Sequence, residues 1–137
     1  QEAAKDILAG HDRIHLIEPL DVFDFHNLAS RSYFIMTDSG GVQEEAPSLG
    51  KPVLVLRDTT ERPEGVRAGT LKLVGTNPAC VKEAMAVLLT DETLYRKMSQ
   101  APNPYGDGRA SERIVRAIQH YFGMAESVSE FKEGEEA

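Results

Sequence analysis

The sequence lacks several features that would point to a particular class of protein. It has a single cysteine, Cys80, and no tryptophan among its 137 residues. One cysteine excludes an internal disulfide framework and a cysteine-cluster zinc site, and we expect Cys80 to be a small buried side chain. The longest apolar runs, such as residues 53–56, are far shorter than the roughly 20 residues that span a bilayer, so the sequence predicts no membrane partner.

Basic residues are also scarce relative to acidic ones. The chain has 15 lysines and arginines against 22 aspartates and glutamates, which gives a net charge of −7 and argues against a nucleic-acid partner. Five glutamates and one lysine lie between residues 126 and 137, so this short stretch accounts for more than half of the net charge. Because it has few apolar anchors, we expect residues 124–137 to be a disordered acidic tail behind a domain of residues 1–123.

Two common glycine motifs and a metal-ligand pattern are missing as well. Without a Gly-x-x-x-x-Gly-Lys-Ser/Thr loop or a Gly-x-Gly-x-x-Gly turn, a nicotinamide cofactor is disfavoured and no cofactor is predicted. None of the four histidines has an i, i+4 histidine or a neighbouring cysteine, so we expect surface or packing histidines and no metal site. These histidines are His11, His15, His26 and His120.

What the sequence does contain is an alternation of short apolar runs with helical segments. Residues 14–17, 33–37, 53–56 and 71–74 are rich in Val, Ile, Leu and Tyr, which is typical of strands covered on both faces. Helical patterns lie between and after these runs. The alternation predicts an α/β fold, a Rossmann-like parallel sheet with helices on both faces, and the length fits one domain.

The helical segments carry recognisable ends and apolar stripes. Asp21 is a predicted N-cap, and Pro47 predicts a kink or an early 3₁₀ turn in the helix that ends at Gly50. We expect three further helices to turn an apolar stripe to the core, at Val81, Ala84, Met85 and Leu88, at Leu94 and Met98, and at Ile114, Ile118 and Tyr121.

The first residues suggest that the chain was cut from a longer protein. Gln1 is not a methionine, and residues 2–8 have the pattern of the middle of a helix. The start is also polar, so no signal peptide is predicted. We therefore expect that part of any functional site lies outside this sequence.

A glycine pair follows the second predicted strand and opens a helix. Gly40 and Gly41 let a ligand approach the backbone closely, and unpaired N–H groups at a helix start attract phosphate, with the Ser39 hydroxyl as a further donor. Glu45, about one turn later, has a carboxylate that can accept hydrogen bonds from a ribose diol. The alternative is an ordinary N-cap and tight turn followed by a solvated glutamate.

Two loops near the predicted carboxyl edge of the sheet are rich in polar residues. In residues 57–64 we expect Arg57 and Asp58 to stabilise the loop, whereas Arg62 is the better candidate to face a phosphate or carboxylate. Residues 103–108 read as a loop with good turn chemistry, and direct contact with a ligand is the alternative.

The segment TDSGGVQEEAPSLGKPVLVLRDTTERPE, residues 37–64, resembles the non-hydrolysing UDP-N-acetylglucosamine 2-epimerases, and so does NPYGDG at 103–108. The resemblance covers about residues 14–122. The glycine pair with Glu-Ala and Gly-Lys-Pro is shared by many GT-B glycosyltransferases, whereas RDTTERPE selects the epimerases.

The resemblance implies a GT-B architecture, of which this chain would be most of the C-terminal, UDP-binding domain. In the matching positions the family binds UDP through the diphosphate, the ribose and the uracil. The residues implied are Ser39, Gly40 and Gly41 at the diphosphate, Arg62 at the phosphate side, Glu45 at the ribose, and Phe25 and the Leu20 backbone at the uracil.

The implied reaction interconverts UDP-N-acetylglucosamine and UDP-N-acetylmannosamine by elimination and re-addition of UDP. The family's catalytic acid and base lie outside this sequence, so we expect the chain alone to be inactive. A cytoplasmic homodimer whose N-terminal domain completes the active site, supplying precursors for cell-surface polysaccharide, is the expected parent enzyme. The alternatives are a GT-B glycosyltransferase domain and a non-catalytic module that senses UDP-sugars.

Overall fold

A computed structural model of the chain describes residues 2–128 and residue 130. Helices and strands alternate through the middle of the chain and give way to helices alone after the last strand. In chain order the elements are α1 Glu2–Leu8, α2 Val22–Arg31, β1 Ile35–Thr37, α3 Gly40–Glu45, a 3₁₀ helix Ala46–Leu49, β2 Val53–Val55, α4 Pro63–Ala68, β3 Leu71–Leu73, α5 Pro78–Thr90, α6 Glu92–Ser99 and α7 Ala110–Tyr121.

The three strands form one parallel sheet in the order β1-β2-β3. Ile35 lies opposite Val53, and Val53 lies opposite Leu71, so the strands are in step at their first residues. Because the strands are parallel, the loops that follow them emerge at the same edge of the sheet. The prediction of an α/β fold built on a parallel sheet is confirmed.

The core consists of two apolar clusters, one on each face of the central strand. Successive side chains of a strand point to opposite faces, so Leu54 packs on one face and Val53 and Val55 on the other. Leu54 contacts the buried stripe of α5 and α6, which includes Ala84, Leu88 and Met98, and Val81, Met85 and Leu94 pack around it. The opposite cluster adds Ala46 and Leu71. The predicted stripes of α5 and α6 are thus confirmed. Both faces of the central strand are covered, whereas Lys72 in β3 is exposed.

Local sequence signals set several of the helix ends. The Asp21 side chain accepts a hydrogen bond from the backbone N–H of Asp24 at 2.9 Å, which confirms it as the N-cap of α2. Pro47 lies in the 3₁₀ helix, as expected, and Gly50 ends that helix with φ +65°, a conformation that glycine adopts without steric cost.

The predicted strand at residues 14–17 is wrong. These residues are irregular, and Ile14, Leu16 and Ile17 are exposed. A parallel strand needs a neighbour that pairs with its backbone, and within the described residues this segment pairs with none. An apolar composition is therefore not enough to form a strand here, because the segment has no neighbouring strand to pair with.

Two expectations about burial are also wrong. Ile114, Ile118 and Tyr121 of α7 are 59%, 53% and 83% exposed, because α7 lies beyond the last strand and its apolar side is not covered by the described part of the chain. Cys80 is exposed at the start of α5 instead of buried. Part of the predicted acidic tail, residues 129 and 131–137, lies outside the described residues.

Candidate functional site

The turn between β1 and α3 lies at the carboxyl edge of the sheet. Ser39 is the N-cap of α3, and its backbone N–H donates to the Thr37 hydroxyl at 3.0 Å. Its carbonyl accepts the first helical hydrogen bond, from Gln43. Among the described residues the Ser39 hydroxyl makes no capping bond to the helix, so it is available to a ligand.

The two glycines differ in how closely side chains approach their backbone. A Cβ atom placed on Gly40 would lie 2.6 Å from Glu61 Oε1 and 3.9 Å from an Nη atom of Arg62. A Cβ atom on Gly41 would lie 3.9 Å from both Glu45 Oε1 and Ser39 Oγ. Ser39 and Glu45 therefore lie beside Gly41, and Arg62 lies beside Gly40, so the three residues converge on the glycine pair. A side chain larger than that of glycine at position 40 would collide with the Glu61 carboxylate.

Arg62 precedes α4 and is held by the helix that carries the glycine pair. Its Nε donates to a carboxylate oxygen of Glu44, and its Nη1 donates to the Glu61 carbonyl at 3.3 Å. The side chain is 33% exposed. Since Nε and Nη1 are engaged, Nη2 is the nitrogen left on the Gly40 side, where it can reach an anion at the turn.

The loop after β2 contains a second ion pair, which supports the structural interpretation of Arg57. Arg57 Nη1 donates to Glu61 Oε2 at 2.7 Å. The backbone N–H of Glu61 and the Arg57 guanidinium lower the pKa of the Glu61 carboxyl below its ordinary value. Asp58 lies close to Gly75 on the adjacent loop. Arg57 thus holds the loop after β2 together, and Asp58 lies against the loop after β3.

A partly buried hydrogen bond fixes the same loop to α3. The Thr60 hydroxyl donates to Gln43 Oε1 at 2.6 Å, and Thr60 Oγ1 accepts the backbone N–H of Arg62 at 3.0 Å. Gln43 is fully buried. Because the bond ties the residue before Glu61 to the middle of α3, it sets the distance between Arg62 and the glycine pair.

Helix α2 reaches the site through a histidine. His26 Nε2 lies 3.0 Å from Glu45 Oε2, and the two side chains are 43% and 48% exposed. Phe25, the preceding residue, is half-buried, with its ring centroid 5.9 Å from that of His26. Leu20 is exposed in the irregular segment just before the N-cap of the same helix.

The loop at residues 103–108 forms one wall of an open cavity of about 650 Å³ beside α3. Tyr105 Oη accepts a hydrogen bond from the backbone N–H of Gly65 at 3.1 Å and donates to the Arg62 carbonyl at 3.5 Å. Burial raises the pKa of the Tyr105 hydroxyl above its ordinary value. Glu44, Glu45 and Ser48 line the opposite wall.

Asp107 fixes this loop to helix α7. Its two carboxylate oxygens accept hydrogen bonds from Arg113 Nη1 and Nη2 at 2.7 and 2.6 Å, a bidentate pair. The Arg113 guanidinium and the backbone N–H of Arg109 hold the pKa of the Asp107 carboxyl well below its usual range. Among the described residues, no group of three or more histidine, cysteine, aspartate or glutamate side chains is arranged to hold a metal ion.

Comparison with known proteins decides the family. A sequence model of the family described as UDP-N-acetylglucosamine 2-epimerase matches residues 1–119. The chain belongs to the UDP-N-acetylglucosamine 2-epimerase family. It is 65% identical over 123 residues to the UDP-N-acetylglucosamine 2-epimerase of Bacillus subtilis, a match that covers 90% of this chain and 32% of the relative.

Solved structures of the same family have the same fold. The structure of Staphylococcus aureus MnaA with UDP matches with a TM-score of 0.88 and 64% identity, covering 96% of this chain and 36% of that one. The Neisseria meningitidis UDP-GlcNAc 2-epimerase bound to UDP-GlcNAc matches with a TM-score of 0.81 and 50% identity, covering 87% and 32%. These matches confirm the predicted GT-B fold class, of which this chain is a fragment that spans about a third of its relatives' length.

Within this epimerase-family chain, several residues near the glycine pair were not predicted from the sequence. Gln43 and Thr60 are partners only in three dimensions, and no spacing along the chain reveals the pair. His26 was interpreted as a surface or packing histidine, although its position one residue after Phe25 was a usable signal. Tyr105 lies in the loop at 103–108, for which the sequence indicates turn chemistry and no contact with α4.

Within the described residues, none of the helices combines the length and the apolar character that a membrane span requires.

Proposed function

We propose that residues 1–123 are the UDP-binding part of an enzyme that interconverts UDP-N-acetylglucosamine and UDP-N-acetylmannosamine. The observation that carries the proposal is the convergence of Ser39, Glu45 and Arg62 on the glycine pair. Membership of the epimerase family favours this reaction over glycosyl transfer and over a purely sensory role. The solved relatives support the ligand class, since one is described with UDP and another with UDP-GlcNAc.

The glycine pair and its neighbours bind the diphosphate in this proposal. Gly41 carries no side chain that would keep a phosphate from the backbone, and the Ser39 hydroxyl offers a donor beside it. The Glu61 carboxylate occupies the space that a side chain on Gly40 would fill, so the open approach to the backbone is at Gly41. Arg62 adds a guanidinium Nη on the Gly40 side, and a guanidinium pairs well with phosphate oxygens.

Glu45 binds the ribose, and Phe25 and the Leu20 backbone bind the base. Glu45 Oε1 lies toward Gly41, so a nucleoside attached to a diphosphate at the turn brings its ribose hydroxyls within reach of that oxygen. Phe25 offers an aromatic ring close to His26, the neighbour of Glu45, and the Leu20 backbone completes the uracil subsite.

The chemistry assigned to these residues is stabilisation of a leaving group. Elimination breaks the bond between the sugar and UDP, and the leaving diphosphate gains negative charge as that bond breaks. Arg62 and Ser39 have donors directed at the diphosphate, and their hydrogen bonds stabilise it more strongly as that charge grows. Removal and return of the C2 proton need an acid and a base, which we place in an N-terminal domain outside this chain.

The parent enzyme is proposed to be a cytoplasmic homodimer whose N-terminal domain closes the other side of the UDP site. Its product would supply precursors for cell-surface polysaccharide. Both proposals rest on the family and on the short share of the relatives that the chain spans, 32% of the Bacillus subtilis protein.

The proposal is tested by calorimetric titration of the 137-residue chain with UDP and with uridine. UDP is expected to bind more tightly than uridine, because only UDP carries the diphosphate that the turn and Arg62 contact. An Arg62→Ala variant should have more similar affinities for UDP and uridine than the unaltered chain. Arg96→Ala, which removes an exposed arginine of α6, should leave the difference between the two affinities unchanged. Equal affinities for UDP and uridine in the unaltered chain would contradict the proposed diphosphate site.

A further inference from the structure

We propose that His26 is a positioning residue for Glu45, holding one carboxylate oxygen so that the other faces the ribose. The inference rests on the proposed function, because it takes Glu45 as the ribose-binding group. His26 Nε2 lies 3.0 Å from Glu45 Oε2, within hydrogen-bond distance, and the two residues come from different helices, 19 positions apart in the sequence.

The two oxygens of Glu45 have separate neighbours. Oε2 is the one bonded to His26, and Oε1 is the one that lies 3.9 Å from the position of a Cβ on Gly41. The bond to His26 therefore leaves Oε1 on the side of the proposed diphosphate site.

Both partners are supported by their own surroundings. Helix α2 is fixed at its start by the Asp21 cap, is anchored by buried Ala29, and packs against the 3₁₀ helix that continues α3. At the other side, the Glu45 carbonyl accepts a hydrogen bond from the Ser48 hydroxyl at 2.6 Å. The histidine thus approaches Glu45 from a held helix instead of a mobile loop.

The bond matters because glutamate is a flexible ligand. Its side chain has three rotatable bonds, and fixing them on binding costs conformational entropy. A partner that restrains the carboxylate before the nucleotide arrives reduces that cost and raises affinity through the ribose. The restraint acts only on ligands that use the ribose hydroxyls, which separates it from a general effect of His26 on the fold.

The experiment compares UDP with 2′,3′-dideoxy-UDP in calorimetric titrations of the 137-residue chain and its variants. His26→Ala is expected to weaken UDP binding about fivefold, the loss typical of one hydrogen bond, and to leave the affinity for dideoxy-UDP unchanged. His26→Gln, whose amide can donate to the same carboxylate, should restore most of the UDP affinity. In a Glu45→Ala background, His26→Ala should have no further effect.

The controls separate the possible failures. His120→Ala changes an exposed histidine of α7 and should affect neither ligand. Equal losses of UDP and dideoxy-UDP affinity in His26→Ala, or no loss of either, would overturn the positioning role while leaving the proposed UDP site intact. If His26→Ala does not fold, His26→Leu, which keeps a bulky side chain but cannot hydrogen-bond to Glu45, replaces it in the same comparison of ligands. No UDP binding by the unaltered chain would overturn the proposed function, and this inference with it.

Discussion

Tyr105 Oη accepts a hydrogen bond from the backbone N–H of Gly65 at 3.1 Å, although 40 residues separate the two in the sequence. The same hydroxyl donates to the Arg62 carbonyl at 3.5 Å. Gly65 is buried, and a Cβ on it would collide with the tyrosine hydroxyl and with Leu71. The loop at 103–108 therefore holds the start of α4, and with it the backbone of Arg62.

Removing that hydroxyl should destabilise the protein. Tyr105→Phe leaves the buried N–H of Gly65 without its acceptor, and we expect a loss of about 1–2 kcal/mol in the free energy of unfolding measured with urea. Tyr121→Phe is the matched control, because Tyr121 is 83% exposed and should be neutral. Equal stability of the two variants would show that the bond to Gly65 contributes nothing.

The pair between Asp107 and Arg113 predicts a pH dependence of stability. The pKa of the Asp107 carboxyl is lowered in the folded chain, against an ordinary value of about 3.9 in an unfolded chain. Its contribution is therefore fully present above about pH 4 and is lost as the pH falls through the folded pKa. The difference in unfolding free energy between the unaltered chain and Asp107→Asn should be largest above pH 4 and should shrink in acid.

A control for that measurement is Asp12→Asn, which changes an exposed aspartate in a turn near the start of the chain. The difference in unfolding free energy between Asp12→Asn and the unaltered chain should stay nearly constant over the same acidic range. If Asp107→Asn followed the same course as Asp12→Asn, the bidentate pair would not contribute to stability.

Two glycines should respond differently to alanine. Gly65→Ala places a Cβ among packed atoms and should destabilise by about 1–3 kcal/mol, the usual cost of overpacking. Gly41→Ala meets only atoms 3.9 Å away and adds a better helix former, so stability should be unchanged or up to about 1 kcal/mol higher. UDP binding by Gly41→Ala should nevertheless fall, because the new methyl lies where the diphosphate approaches. Undiminished UDP affinity in this folded variant would remove Gly41 from the site.

The two charged residues proposed to contact UDP should each have a measurable effect on UDP affinity. Glu45→Ala and Arg62→Ala are each expected to weaken UDP binding by about 1–3 kcal/mol, as for the loss of a hydrogen bond to a charged group. Glu92→Ala, which removes an exposed glutamate of α6, serves as the control in the same calorimetric titrations. An affinity unchanged from the unaltered chain would exclude the altered residue from the site.

The chain by itself should not turn over substrate. Because the acid and base that exchange the C2 proton are placed outside this sequence, UDP-N-acetylglucosamine incubated with the 137-residue chain in deuterium oxide should gain no deuterium at C2. Proton NMR of the sugar measures this directly. Incorporation of deuterium at C2 would mean that the chain contains a catalytic acid and base of its own.

Much of the fold was predictable because it depends on local patterns. The apolar run at 53–56 predicted the central strand, and the stripe from Val81 to Leu88 predicted the face of α5 that covers it. Short caps and turns, such as Asp21 and Gly50, are encoded within a few residues. The glycine pair was placed at the start of α3 by the same kind of local signal.

The rest depends on contacts between residues far apart in the chain. Residues 14–17 have strand-like composition, but pairing requires a neighbour that no local pattern supplies. The apolar stripe of α7 was identified correctly, yet its burial depends on what covers it. The Gln43–Thr60 bond and the His26–Glu45 bond join residues 17 and 19 positions apart, through side chains whose orientation only the folded chain determines.

The central claim is that UDP binds at the turn between β1 and α3, and mapping of backbone amides by NMR during a UDP titration tests it most directly. We predict that the largest shifts occur at Ser39, Gly40 and Gly41, with smaller ones at Glu45 and Phe25. Saturating UDP that leaves these amides unchanged, or shifts amides only elsewhere, such as along α5, would contradict the claim.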